Sequence, residues 1–425
     1  MQRSVRRRAS SIVTGIDPWL TLAFVALMCL GVLMVYSASI GDAYTYYGSQ
    51  YYVVERELLF VLVGFIAFAF AARMPYRAWY RIAGPLFVVT LALLALVLTP
   101  HVGHASHGAQ RWFSLGAGIS IEPSELVKLS LILYLARWLP SKGSQIRDFK
   151  ATFVPFSMIV GAVFLLIVKQ PDLGTSIVVA LTSAALFYIA GADLRHMAVV
   201  AVGSSAFAWI LMHGSSYREN RLLAFMNPWK DPTGVGYHTV QALLALGSGG
   251  LFGTGLGNST QKFILPAPHT DSILAVIGEE LGFAGTTAIL LAFLIVAYRG
   301  TRIAMTAPDA FGKLLAAGIT CWITFQALLN FAVITSSVPF TGVPLPFVSY
   351  GGTSLIITMI AMGILLNIST HARDEAFAHH DSDYGRGDRR TRVSRVVDNP
   401  APDRRKGRVV RGKGTVGYAS QSDAR

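Results

Sequence analysis

Ten stretches of nearly unbroken apolar sequence alternate with short polar segments. They lie at about 17–38, 57–74, 80–99, 123–140, 152–169, 174–191, 196–213, 272–298, 313–335 and 351–369. Most run roughly 18 to 24 residues, enough for a helix to cross the hydrocarbon of a bilayer. The pattern predicts an all-α polytopic membrane protein of about ten transmembrane helices. The runs at 174–191 and 196–213 are close enough to form a tight antiparallel pair through Gly191–His196. A large extracytoplasmic loop, about 214–271, separates helices 7 and 8. Residues 1–16 read as a basic N-terminal tail and 17–370 as the membrane domain. Residues 371–425 read as a disordered basic tail with too few apolar residues to repay the entropy of ordering.

Composition agrees with this reading. The chain is 53% hydrophobic and 14% charged, with a mean hydropathy of +0.51; soluble chains carry about 25% charged residues. The net charge of +13 gathers in the two ends and in alternate loops, a mark of membrane orientation rather than of nucleic-acid binding. Arg73, Arg77 and Arg81, then Arg137, Lys142, Arg147 and Lys150, then Arg195, then Arg299, Arg302 and Lys313 fall on one side. That side is expected to be cytoplasmic, with both termini on it. The first apolar run is too long, and lacks the small-residue cleavage site, for a removed signal peptide. Cys29 and Cys321 sit inside apolar runs and suit core packing rather than a disulfide or zinc framework. The tyrosines at 44, 46, 47, 51 and 52 are expected to form an interfacial belt on the outer face.

Polar groups crowd the outer ends of the apolar runs. Asp271 opens the eighth run, behind the glycine-rich Leu251–Asn258 stretch and His269-Thr270. It reads either as a cap that favours the helix dipole or as a general base or metal ligand. Glu279 and Glu280, about 12 Å further along the helix at 1.5 Å per residue, are too far away to form a dyad with it, and one is expected to bond a neighbouring helix. Glu125 and Lys128, three apart, share a helix face and should pair toward the bundle interior, as structure or as a cavity wall. Lys169 and Asp172 could pair in the same way. Arg111, Arg218, Arg221, Lys230 and Lys262 are outer cations that contact headgroups or, gathered round a cavity, would suit a phosphate or pyrophosphate. Gly253-Thr-Gly255-Leu-Gly257 lacks the preceding strand of a dinucleotide fingerprint and reads as a flexible turn. No Walker, thiolate or HExxH motif is present, so ATP hydrolysis and zinc chemistry are not expected.

Seven blocks carry a resemblance. They are Glu122-Pro-Ser-Glu-Leu-Val-Lys128, Gln170-Pro-Asp-Leu-Gly-Thr175, Asn227-Pro-Trp-Lys-Asp-Pro232, Gly255-Leu-Gly-Asn-Ser-Thr-Gln-Lys262, His269-Thr-Asp271, Gly278-Glu-Glu-Leu-Gly282 and Leu345-Pro-Phe-Val-Ser-Tyr-Gly-Gly352. In this order, across about 17–370, the chain resembles the shape, elongation, division and sporulation (SEDS) family. The Gly-Leu-Gly-Asn-Ser block and the basic tails look more like its division branch than its elongation branch. The resemblance implies a ten-helix polymerase of lipid II, the undecaprenyl-pyrophosphate-linked disaccharide-peptide, working at the outer face beside a class B penicillin-binding protein and other division proteins. It implies that Asp271 is the catalytic residue and carries the family's helix-four pair onto Glu125 and Lys128. Arg111, Lys169, Asp172, Arg218, Arg221, Lys262, His269 and Ser349 complete the expected substrate contacts. A divalent cation, magnesium or manganese, stays open as a cofactor, with no ligands identified. Ser272-Ile-Leu-Ala, Tyr237-His238, Ala332 and Ser336 depart from the family pattern without removing a charged group. A lipid II transporter and a non-catalytic scaffold are the competing readings.

Overall fold

A computed structural model describes residues 17–99, 103–106, 109–114, 120–200, 202–203 and 225–371. The expectations for 1–16, for the tail beyond 371, and for Arg218 and Arg221 lie outside them. All ten apolar runs meet helix, the seventh over 194–200 and 202–203 among the described residues. In chain order the helices are α1 (Pro18–Tyr47), α2 (Tyr52–Arg73), α3 (Tyr76–Leu96), α4 (Pro123–Trp138), α5 (Val154–Lys169), α6 (Leu173–Ile189) and α7 (194–200). They continue with α8 (Tyr237–Ser248), α9 (Ile273–Thr306), α10 (Ala310–Ile334) and α11 (Gly352–His371). A π-helical turn, Phe149–Phe153, leads into α5. Among the described residues six helices, α5 counted together with its π-helical turn, are long and apolar enough to cross a membrane. The chain is a multi-pass membrane protein.

Local chemistry sets the helix starts. Asp17 accepts from the Leu20 amide with Pro18 in the first turn, and Asp172 and Asp309 accept from the Thr175 and Gly312 amides. Each caps amides that a helix start leaves without partners. One end of the bundle is pinned by Asp17–Arg299, by Arg77 and Tyr76 on Asp309, and by Asn367, which holds the α2–α3 turn through the Tyr76 amide and the Ala72 carbonyl. The other end gathers the starts of α4, α6, α9 and α11. It also carries a small sheet absent from the sequence reading, β1 (His104–Ser106), β2 (Ala109–Ser114) and β3 (Ser120–Ile121), paired antiparallel in that order.

The described part of the long seventh connection, 225–272, differs most from expectation, because it packs into the bundle. Helix α8 packs along α9, and the glycine stretch after it enters a break in α9 at Gly282, where φ is 68° and ψ −163°. Only glycine adopts this backbone readily, and a Cβ there would collide with the Gly253 nitrogen. The break frees backbone groups, and the entering loop satisfies them. Thr254 and Gly255 amides donate to the Glu279 and Glu280 carbonyls, while the Phe283 and Ala284 amides donate to Gly250 and Leu251 carbonyls. Irregular backbone at this depth is tolerable only when paired in this way. Gly253 to Gly257 is therefore a built plug, not a free turn.

Candidate active site

The climb back from the plug is held by two carboxylates. Buried Glu279 accepts from the Thr260 and Gln261 amides, the Thr260 hydroxyl and the Ser259 hydroxyl. Buried Glu280 accepts from Ser37 of α1 at 2.6 Å and pairs with Lys262 at 3.4 Å. The expected bond to a neighbouring helix is thus present at Glu280. Lys262 differs from the outer cation expected of it: it is 3% exposed, and its ammonium also donates to the Gly257 carbonyl at 2.7 Å. A buried ammonium lacking such partners would be very costly.

Asp271 stands half-buried just before α9. Its Oδ1 accepts from the Thr270 hydroxyl at 3.1 Å, and its backbone carbonyl accepts from Asn330 of α10 at 2.9 Å. The same Asn330 amide donates to the Val343 carbonyl at 2.8 Å. Gly342 lies between them; a Cβ on it would come within 3.4 Å of Asp271 Oδ2. On the far side of this strand of backbone, Gly174 at the start of α6 packs against Thr341 and Val343.

Gln326, one turn earlier on α10, extends the connection. It donates to the Pro344 carbonyl at 2.9 Å and accepts at 2.8 Å from both Lys128 Nζ and Trp322 Nε1. Lys128 pairs with Glu125 at 2.8 Å, both buried, and its ammonium lies 5.2 Å from the Trp322 ring centroid. The anticipated inward ion pair is present and tied to the backbone beside Asp271. Beneath it a small cavity is lined by Lys128, Thr182, Ser183 and Trp322 among others.

Asp172, the cap of α6, takes Arg111 of β2 as its partner at 3.9 Å rather than Lys169, whose side chain is exposed. Arg111 also donates to the Gln170 and Pro171 carbonyls at 2.8 and 2.5 Å. Its guanidinium, a planar fork, is thus committed to one turn of backbone. Glu122 completes this cluster. Removal from water, then the Glu125 and Asp172 carboxylates, push its carboxyl up to about 7. Ser349 is buried and its hydroxyl accepts from the Leu345 amide at 2.8 Å, closing the turn of its block. His269 faces Asp42 of α1 at 3.5 Å, with the Tyr350 ring 5.5 Å away.

Asp42 and Glu57 were missed by the sequence reading. Buried Glu57, on α2, receives the Gly351 amide at the start of α11. For Asp42 the available signal was a lone carboxylate inside a long apolar helix; Glu57 follows Glu55 and Arg56 at a helix start and carried no such mark. Among the described residues no group of three or more His, Cys, Asp or Glu could hold a metal ion.

The comparisons with known proteins join these blocks to one family. The model of the cell cycle protein family of FtsW, RodA and SpoVE matches residues 18–374. The chain belongs to the SEDS family. Stage V sporulation protein E of Bacillus subtilis is 42% identical over 362 residues, 85% of this chain and 98% of that one. A probable peptidoglycan glycosyltransferase FtsW of Geobacter sulfurreducens is 42% identical over 358 residues, 84% and 96% of the two chains. Among solved SEDS structures, the rod shape determining protein RodA of Thermus thermophilus aligns with a TM-score of 0.62 at 28% identity, covering 83% of this chain and 96% of that one. A chain from a peptidoglycan synthase complex that coordinates polymerization and crosslinking aligns with a TM-score of 0.68 at 26% identity, covering 84% and 98%.

Proposed function

We propose that this chain is a peptidoglycan glycosyltransferase that polymerises lipid II into glycan strands for septal wall synthesis, with Asp271 as general base. Its membership of the SEDS family and its FtsW-named relatives support the activity. The single observation that carries the residue assignment is the setting of Asp271. Its carboxylate stands at the mouth of the bundle, while its backbone is fastened through Asn330 and Gln326 to the buried Glu125–Lys128 pair.

The chemistry follows from that placement. The C4 hydroxyl of one lipid-linked sugar attacks the anomeric carbon of another. Its oxygen forms the new C–O bond as the bond to pyrophosphate breaks, and the hydroxyl proton passes to Asp271. A carboxylate within hydrogen-bond reach serves this purpose, and a single displacement inverts the anomeric centre. Lys169, exposed beside the Asp172–Gly174 turn that adjoins residues 341–343, supplies positive charge for the departing pyrophosphate.

The basic end of the bundle, with Arg73, Arg77, Arg147, Arg195 and Arg302, faces the cytoplasm with both termini, and Asp271 faces outward. A class B transpeptidase crosslinks the product. The test is lipid II polymerisation by purified protein in detergent. Asp271→Asn and Asp271→Ala should each lose about 10²- to 10⁴-fold. Normal turnover by either sinks the base assignment, and lipid II translocation without polymer favours transport instead.

A further inference from the structure

The connection between α10 and α11 touches the Asp271 segment at both of its ends. At the near end Asn330 and Gln326 of α10 hold the Val343 and Pro344 carbonyls, and Gly342 lies beside Asp271 Oδ2. At the far end the Tyr350 amide donates at 2.9 Å to the carbonyl of His269, two residues before Asp271. The backbone between is not relaxed. Phe347 has a φ of 65°, a left-handed conformation that a bulky residue avoids. Such a conformation persists only where its surroundings over-determine it. The Phe347 ring is buried against Phe24 of α1, and its carbonyl lies so close to Gly31 that no Cβ would fit there.

Glu57 of α2 supplies the far anchor. It is 3% exposed, and its carboxyl accepts from the Gly351 amide. Gly351 in turn starts α11, since the Leu355 amide donates to its carbonyl at 2.7 Å. Tyr350 and Gly351 therefore commit consecutive amides to two different elements, His269 before α9 and Glu57 on α2. Burying a carboxyl is costly, and the second oxygen of Glu57 has no hydrogen-bond partner among the described residues. What the burial secures is this one amide. Helix α2 is a firm base for it. Gly352 sits on the Phe60 ring, where a Cβ would lie 2.6 Å away, and Gly64 is pressed against Met359 of α11.

We infer that Glu57 is a positioning residue for the transfer reaction. By holding Gly351 it keeps Tyr350 on the His269 carbonyl, and so sets where the Asp271 carboxylate meets the attacking hydroxyl. The inference rests on the glycosyltransferase reading for what that carboxylate does. It gives the Asp271 segment a second anchor, from α2, besides the one that Asn330 provides from α10.

Reach rather than charge is what this role requires, so three substitutions at one position test it. Glu57→Gln keeps an acceptor oxygen at the same distance. Glu57→Asp keeps the carboxylate one methylene too short, and Glu57→Leu keeps only the volume. Hydrogen exchange of the full detergent-solubilised chain, read by mass spectrometry, needs no turnover. Glu57→Asp and Glu57→Leu should speed exchange about tenfold in peptides covering 268–273 and 345–352 and leave 310–320 unchanged. In lipid II polymerisation both should lower kcat about 10- to 100-fold with KM within about twofold. Glu57→Gln should match the parent in both measurements. Parental exchange or parental kcat in the aspartate and leucine variants overturns the inference, as does Glu57→Gln behaving like Glu57→Leu. A lower melting temperature with kcat kept makes Glu57 merely structural and overturns it equally. The exchange response in a chain that polymerises nothing counts against the glycosyltransferase reading alone.

Discussion

Asn330 spends both of its amide hydrogens on backbone, one on the Asp271 carbonyl at 2.9 Å and one on the Val343 carbonyl at 2.8 Å. The two segments that meet at the carboxylate are therefore registered by one side chain. Asn330→Leu keeps the volume and removes both donors. A misplacement of about 1 Å at reacting groups costs about 10²-fold, so kcat should fall by about that factor with KM little changed. Two buried carbonyls left without partners should also cost about 1–3 kcal/mol each in stability. Steady-state kinetics and thermal unfolding of the same preparation separate the two effects.

The Glu125–Lys128 pair makes a different prediction. Both side chains are 3% exposed or less, and removing one partner strands a buried charge at a cost of about 3–5 kcal/mol. Glu125→Gln and Lys128→Met should each lower the melting temperature sharply. The double variant Glu125→Leu with Lys128→Met should regain most of that stability while remaining inactive, since Gln326 then loses the ammonium that orients it. Recovery of activity by the double variant would remove the pair from the site.

Glu122 supplies a pH dependence. Its carboxyl is raised from 4.5 to about 7, so the folded protein holds this proton more tightly than the unfolded chain. The contribution to stability is complete below about 4.5 and is lost as the pH rises through about 7. Unfolding of the purified protein between pH 5 and 8 should show stability declining with pH from this group, and Glu122→Gln should flatten that component. An unchanged slope would show that Glu122 does not cause it.

Spacing revealed what depends on one helix. The apolar runs, the Glu125–Lys128 face and the place of Asp271 at a helix start all follow from local period and composition. What needed a second segment was not visible. Nothing near Lys262 announces Glu280, eighteen residues on, as its partner, and Asp172 prefers Arg111 across the fold to Lys169 nearby. Helix α8 has 12 residues, too few to span a bilayer, so the pattern gave no reason to place it within the bundle. Asp42 carried a usable sign, an isolated acid in an apolar helix, that was passed over, whereas Glu57 was masked by Glu55 and Arg56 beside it.

The break at Gly282 bears on biogenesis. A span with two bare carbonyls and two bare amides in its first third is a poor candidate for entering lipid alone. The segment from α8 through α9 therefore reaches its final depth as one unit, the plug arriving together with the helix it completes.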